Sequence, residues 1–183
     1  MTESSKEKTG VSALIISGGY FLTIEECHLS RLTQKIPGMR SMVYETVEPG
    51  ESDQQALVRA LTVEELKLGE FTNGQSLVDQ PLCKVQLNSG IWLSAYLLPV
   101  EIPRDYPLKI GTAQGEVTNP GWNKISVATT VPKGSERFRP GNREVLTSYL
   151  SNKYKDNFII YNDIEDRIPE SRFDYLEANQ KEA

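Results

Sequence analysis

The apolar positions change period along the chain. Residues 11–16 and 20–24 are short apolar runs separated by Ser17-Gly18-Gly19, which predicts a β-hairpin. Residues 25–34 are polar and irregular. Ala56, Leu57, Ala60, Leu61 and Leu68 then recur at helical spacing, with Gln54, Gln55, Thr62 and Glu65 mostly elsewhere. An amphipathic helix is expected there, capped by Ser52 or Asp53 after the Glu48-Pro49-Gly50 turn. Residues 69–74 read as a turn region. Leu82, Lys84 and Gln86 alternate with Cys83, Val85 and Leu87, as in a half-buried strand. After the turn at 88–90, residues 91–100 form the longest apolar run and read as a central strand paired with the preceding one. Residues 102–110 are expected to be a loop and a short strand, and 125–131 a strand or short buried segment. Val145, Leu146, Tyr149 and Leu150 mark a second helix over 143–150, with an edge strand at 158–161 and a short helix at 172–178 beyond it. Strands, helix, strands and helix in this order predict an α/β fold with a mixed sheet between helices.

Composition narrows this picture only modestly. The chain has 183 residues, 38% hydrophobic and 25% charged, enough for one domain of about 11–150 with a polar tail at 1–10 and an extension at 151–183. A net charge of −5 argues against general nucleic-acid binding but leaves a small nucleotide-like ligand open. Cys27 and Cys83 lack metal-ligand spacing, and no apolar run has the length of a membrane span. A reduced, cytoplasmic setting with no membrane association is the expectation. There is no internal repeat.

The stretch from Gly38 to Leu68 carries the candidate chemistry. Val47-Glu48-Pro49-Gly50-Glu51-Ser52 is followed, eight residues after Glu51, by Arg59, and then by Glu64-Glu65. This resembles the box of the Nudix hydrolases, G-x5-E-x7-R-E-U-x-E-E-x-G-U with U apolar. Glu51 takes the first Glu and Arg59 the Arg. Ile36-Pro37-Gly38-Met39 is similar to the usual entry, with about six extra residues before Val47. Without that insertion the opening Gly falls at Glu45. The Glu after the Arg is Ala60, and the final Gly is Leu66 or Lys67. Counting straight through puts Val63-Glu64 at the E-E pair; one extra residue after Leu61, absorbed as a helical bulge, puts Glu64-Glu65 there.

The resemblance implies a Nudix-like α/β/α sandwich over about residues 11–150. It also implies hydrolysis of a nucleoside diphosphate linked to another moiety, with Mg2+ or Mn2+ as cofactor. Such ions neutralise the anionic linkage, orient it and acidify water. On this reading Glu64, Glu65 and Arg59 are catalytic. Glu64, Glu65, Glu51 and Glu116 are the metal candidates, with Glu116 supplied from outside the helix, and Arg59 anchors the loop by a bidentate pair. Gly38, Glu48, Arg31 and Trp92 are the substrate-binding candidates; Trp92 and Tyr96 share strand parity and can stack on a base or pack in the core. His28, the one histidine, reads as a solvated loop residue. A homodimer is left open. The loss of a carboxylate at Ala60 supports an alternative, a catalytically impaired Nudix-fold module that binds a nucleotide or a protein partner.

Overall fold

The computed structural model describes residues 9–87, 90–113, 115–151, 159–161 and 167–180. β1 (Thr9–Leu14) runs parallel to β7 (Trp92–Leu97) and antiparallel to β5 (Val43–Thr46). β6 (Cys83–Gln86) completes the hairpin with β7 and takes β9 (Ile159–Tyr161) as a parallel neighbour, giving a mixed sheet ordered β5-β1-β7-β6-β9. A second, antiparallel sheet joins β2 (Ile16–Ser17), β3 (Tyr20–Glu26), β4 (Arg40–Ser41) and β8 (Val117–Lys124).

Alternation along the strands feeds two cores. Val11, Ala13, Val43 and Tyr96 face α1 (Asp53–Arg59) and the turn that follows it, burying Ala56, Leu57, Ala60 and Leu61. Met42, Tyr44, Cys83, Leu93 and Ala95 face the other way, onto α3 (Ile125–Thr130) and α4 (Asn142–Ser151). Burial of a leucine contributes roughly 1.5–3 kcal/mol, so the apolar face holds the seven-residue α1 where its intrinsic propensity cannot. The result is an α/β/α sandwich with a mixed sheet between helices, as the element order predicts.

Several expectations are corrected. Residues 11–16 do not pair with 20–24 as one hairpin: β1 joins the mixed sheet, and only Ile16–Ser17 turns back on β3, through Gly18 and Gly19 at φ +52° and +80°. Of the two readings of residues 125–131, the strand is not formed and the short buried segment is, as helix α3. Ile125 and Ala128, one turn apart, are buried, and the Thr129 and Thr130 hydroxyls donate to carbonyls in the preceding turn. The short strand within 102–110 is reduced to an isolated bridge between Leu66 and Ile110. Part of the turn region at 69–74 is a short helix, α2 (Gly69–Thr72). No strand is expected from the sequence over residues 117–124, where β8 lies; it tolerates Asn119-Pro120-Gly121 as an edge, with Asn119 at φ +41° and a register shift opposite Thr23 and Glu25. The insertion of residues 39–46 extends into β4 and β5, its Met39, Met42, Val43 and Tyr44 all buried.

The tail expected at 1–10 lies outside the described residues up to residue 8, and Thr9 and Gly10 open β1. Residues 88 and 89 of the expected turn, and Phe158, also lie outside them. The expected C-terminal helix is α5 (Glu170–Gln180), whose Phe173 is buried with Ile36, Met39 and Ile168. Both cysteines are free, and no helix among the described residues is long and apolar enough to cross a membrane.

Candidate functional site

The loop before α1 is built by local chemistry. Gly50 sits at φ +86°, which a side chain would strain, and lets the Glu51 N–H return to the Glu48 carbonyl at 3.0 Å. Ser52 caps α1 in a reciprocal box with Gln55. Asp53 accepts the Tyr96 hydroxyl at 2.5 Å, so Tyr96 tethers the helix start to β7.

Arg59, at the end of α1, is the hub. Its Nε and Nη2 donate to the two oxygens of Glu51 at 3.0 and 2.9 Å, and Nη2 also reaches the Thr46 carbonyl at 2.9 Å. Its Nη1 donates to Glu64 at 2.5 Å and lies 3.4 Å from Glu45 Oε1. The bidentate anchor expected of Arg59 is therefore formed with Glu51, and this pairing holds the Glu51 carboxyl below the usual carboxylate range.

After Arg59 the helix widens. Residues Ala60–Glu64 form a π-helical turn, with the Glu65 and Leu66 N–H groups both reaching back to the Ala60 carbonyl at 3.0 Å. A bulge of this kind absorbs one residue. The carbonyls it leaves open are taken by a distant segment: Thr112 N–H donates to Val63 and Ala113 N–H to Glu64, both at 2.8 Å, and Gly111 N–H to Glu65 at 3.2 Å. A Cβ on Gly111 would lie 2.0 Å from the Val63 carbonyl oxygen, so this approach requires glycine.

The widened turn sends Glu64 toward Arg59 and Glu65 inward. Glu65 is 8% exposed, and its Oε2 has no hydrogen-bond partner. Burial raises its carboxyl well above the usual range; Glu45 and Glu26 add to this, and Lys35 and Arg139 oppose it. Burial also raises the Glu45 carboxyl, against the pull of the Thr46 N–H and Arg59.

Two cavities meet at these acids, sharing Glu45, Glu65 and Glu116. One, of about 320 Å³, is closed by Arg59, Glu64, Thr112 and Ala113. The other, of about 350 Å³, has an apolar wall of Leu87, Ile91 and Leu93 and a polar one that includes His28, Ser30, Thr33, Lys35 and Arg139. Behind it the buried Glu26 pairs with Lys35 at 3.0 Å and Arg139 at 3.2 Å. The Tyr44 hydroxyl donates to Asn142 at 2.9 Å, fixing the inner wall.

Of the residues predicted from sequence, Arg59, Glu64, Glu65 and Glu116 come together here. Glu51 contributes through Arg59. Gly38, Glu48, Arg31 and Trp92 line neither cavity. Gly38 forms a turn at φ +87°, donating to the Glu26 carbonyl at 2.8 Å. Arg31 is bound to Glu170, Asp174 and Glu177 of α5. His28 is exposed, as expected, yet lies on the cavity wall. Sequence reasoning missed Glu45, Lys35 and Arg139. For Glu45 a signal existed: it alternates with the apolar Tyr44 just before the loop.

Carboxylate oxygens, one of them buried and unmatched, suit a hard divalent cation in donor chemistry. No three His, Cys, Asp or Glu side chains among the described residues converge as a ready-made ligand set.

Solved structures with the same architecture decide the fold. The ORF135 protein of E. coli is 22% identical, with a TM-score of 0.58 over 84% of this chain and 95% of its own. The MutT NUDIX hydrolase of Burkholderia pseudomallei is 17% identical, with a TM-score of 0.56 over 79% and 98%. The fold is that of the Nudix hydrolases. A bifunctional NMN adenylyltransferase/ADP ribose pyrophosphatase of Francisella tularensis, complexed with AMP and a Mn ion, shares it at 14% identity and a TM-score of 0.53, over 83% of this chain and 43% of that one. No family model matches the chain, and no curated protein matches it in sequence.

Proposed function

We propose that this Nudix-fold chain is a divalent-metal-dependent hydrolase of a nucleoside diphosphate joined to another moiety. One observation carries the reading: Glu65 holds an unpartnered, buried carboxylate oxygen where an acid-lined cavity meets one of mixed lining. A diphosphate is itself anionic and cannot approach such acids unaided. Mg2+ or Mn2+, when bound, would screen that repulsion and acidify an attacking water. Glu64 and Glu65 would hold the ion, with Glu116 on the rim. Arg59 and Glu51 would fix the loop and the direction of Glu64. The apolar wall of Leu87, Ile91 and Leu93 would take the organic group, which explains why the two cavities adjoin. A fold neighbour complexed with AMP and a Mn ion is in keeping with a nucleotide-like ligand and a divalent metal.

A second reading, a binding module that has lost turnover, is favoured by Ala60. It is fully buried and supplies no carboxylate where the Nudix pattern has one.

Hydrolysis of a panel of nucleoside diphosphate derivatives in saturating Mn2+, with Glu64→Gln beside the wild type, separates the two. The enzyme reading expects turnover that disappears in the folded variant. A folded wild type inert across the panel, or a fully active variant, overturns it.

A further inference from the structure

The missing helix carboxylate has a stand-in on the neighbouring strand. Ala60 is sealed in the core with Leu57 and Leu61, so α1 offers no acid at that position. Across from it, Glu45 is carried on β5, in register with Val11 of β1. Its Oε1 stands 3.4 Å from the same Arg59 nitrogen that binds Glu64. Glu45 and Glu65 line both cavities, and Glu64 lines the acidic one.

An acidic cluster alone proves nothing, since surface acids gather often. Here a second observation points to a ligand. Glu65 is more than nine-tenths buried at the centre of the cluster, and its Oε2 has no partner. A buried carboxylate oxygen without a donor carries the full cost of leaving water. Lys35 and Arg139 do not remove that cost, because Glu26 engages both. A cation at the junction of the cavities would satisfy the orphaned oxygen and screen the repulsion between Glu45 and Glu65.

We infer that Glu45 replaces, from strand β5, the helix carboxylate lost at Ala60, and completes with Glu64 and Glu65 an oxygen-ligand site for a divalent cation of the Mg2+ or Mn2+ class. The inference rests on the metal-dependent reading above. The acids surround the junction without converging, so binding would draw them inward and turn Glu64 from Arg59. Arg59 keeps its two bonds to Glu51 through that change, so the loop stays anchored.

Mn2+ binding tests this without any turnover. The paramagnetic resonance signal of free Mn2+ is followed as it is titrated into wild type, Glu45→Gln, Glu45→Asp, Glu65→Gln and the exposed control Asp79→Asn, with folding checked by circular dichroism. The expected result is a Kd raised by at least about tenfold in Glu45→Gln. Glu45→Asp should be weakened less, Glu65→Gln should also be weakened, and Asp79→Asn should be unchanged. If Glu45→Gln binds like wild type while Glu65→Gln is weakened, the role of Glu45 is overturned and the metal-dependent reading stands. If folded wild type takes up no Mn2+, both fall. Should Glu45→Gln not fold, Glu45→Asp decides: wild-type affinity there overturns the inference, and weakening supports it.

Discussion

Arg59 grips Glu51 through two parallel hydrogen bonds, Nε to Oε1 at 3.0 Å and Nη2 to Oε2 at 2.9 Å. The same guanidinium reaches Glu64 with its remaining nitrogen, so one side chain locks the loop to the widened helix. Lysine carries the charge but not the fork. Arg59→Lys should lose roughly 1–3 kcal/mol of stability in urea unfolding and most turnover, with Mn2+ still bound. Wild-type stability in the variant would mean the fork is incidental.

Gly111 is pressed against the carbonyls of the π-helical turn. Gly111→Ala must push that turn away and should cost about 1–3 kcal/mol. Because the turn aims Glu64 and Glu65, Mn2+ affinity should fall with it. Thermal unfolding and Mn2+ titration check both effects.

Helix α5 braces the loop that carries His28, Ser30, Thr33 and Lys35. Phe173 is buried against Ile36 and Met39, Arg31 binds three α5 carboxylates, and the Ile168 N–H donates to Gln34 at 2.9 Å. Phe173→Ala should cost about 3–5 kcal/mol and speed amide exchange across residues 28–35. For the enzyme, KM should rise more than kcat falls, since the loop lines the organic-group cavity and not the one closed by Arg59 and Glu64.

How much of this was legible in the sequence depended on range. The loop of residues 47–52 and its Arg59 partner were readable because turn, cap and fork are set by residues close in the chain. The register after Leu61 was not, because Gly111, Thr112 and Ala113 stabilise the widened turn from far along the chain. Glu45 escaped for a related reason: its place beside Glu65 follows from the pairing of β5 with β1. For α3 a strand stands beside a short buried segment in the sequence because Ile125, Val127, Thr129 and Thr130 are β-branched, and tertiary burial of Ile125 and Ala128 outweighs that preference.

Burial sets a pH dependence. The Glu65 carboxyl is raised in the folded protein, so between its ordinary value of about 4.3 and its folded value the native state holds a proton that the unfolded chain has released. Stability from this group is therefore fully present below the ordinary value and is lost as pH rises through that window. Glu45 acts in the same direction, whereas Glu51, lowered by Arg59, loses its contribution as pH falls. With chelator present, urea midpoints from pH 4 to 8 should fall less steeply in Glu65→Gln than in wild type. Parallel curves would contradict this account of Glu65.

The most direct test of the central claim is anomalous diffraction from crystals soaked with Mn2+ and a non-hydrolysable nucleoside diphosphate analogue. The account predicts a Mn2+ peak at ligand distance from Glu65 and Glu64, with the phosphates against it and the organic group along Leu87, Ile91 and Leu93. Analogue bound elsewhere, or bound in the cavity with no Mn2+ peak, would contradict it.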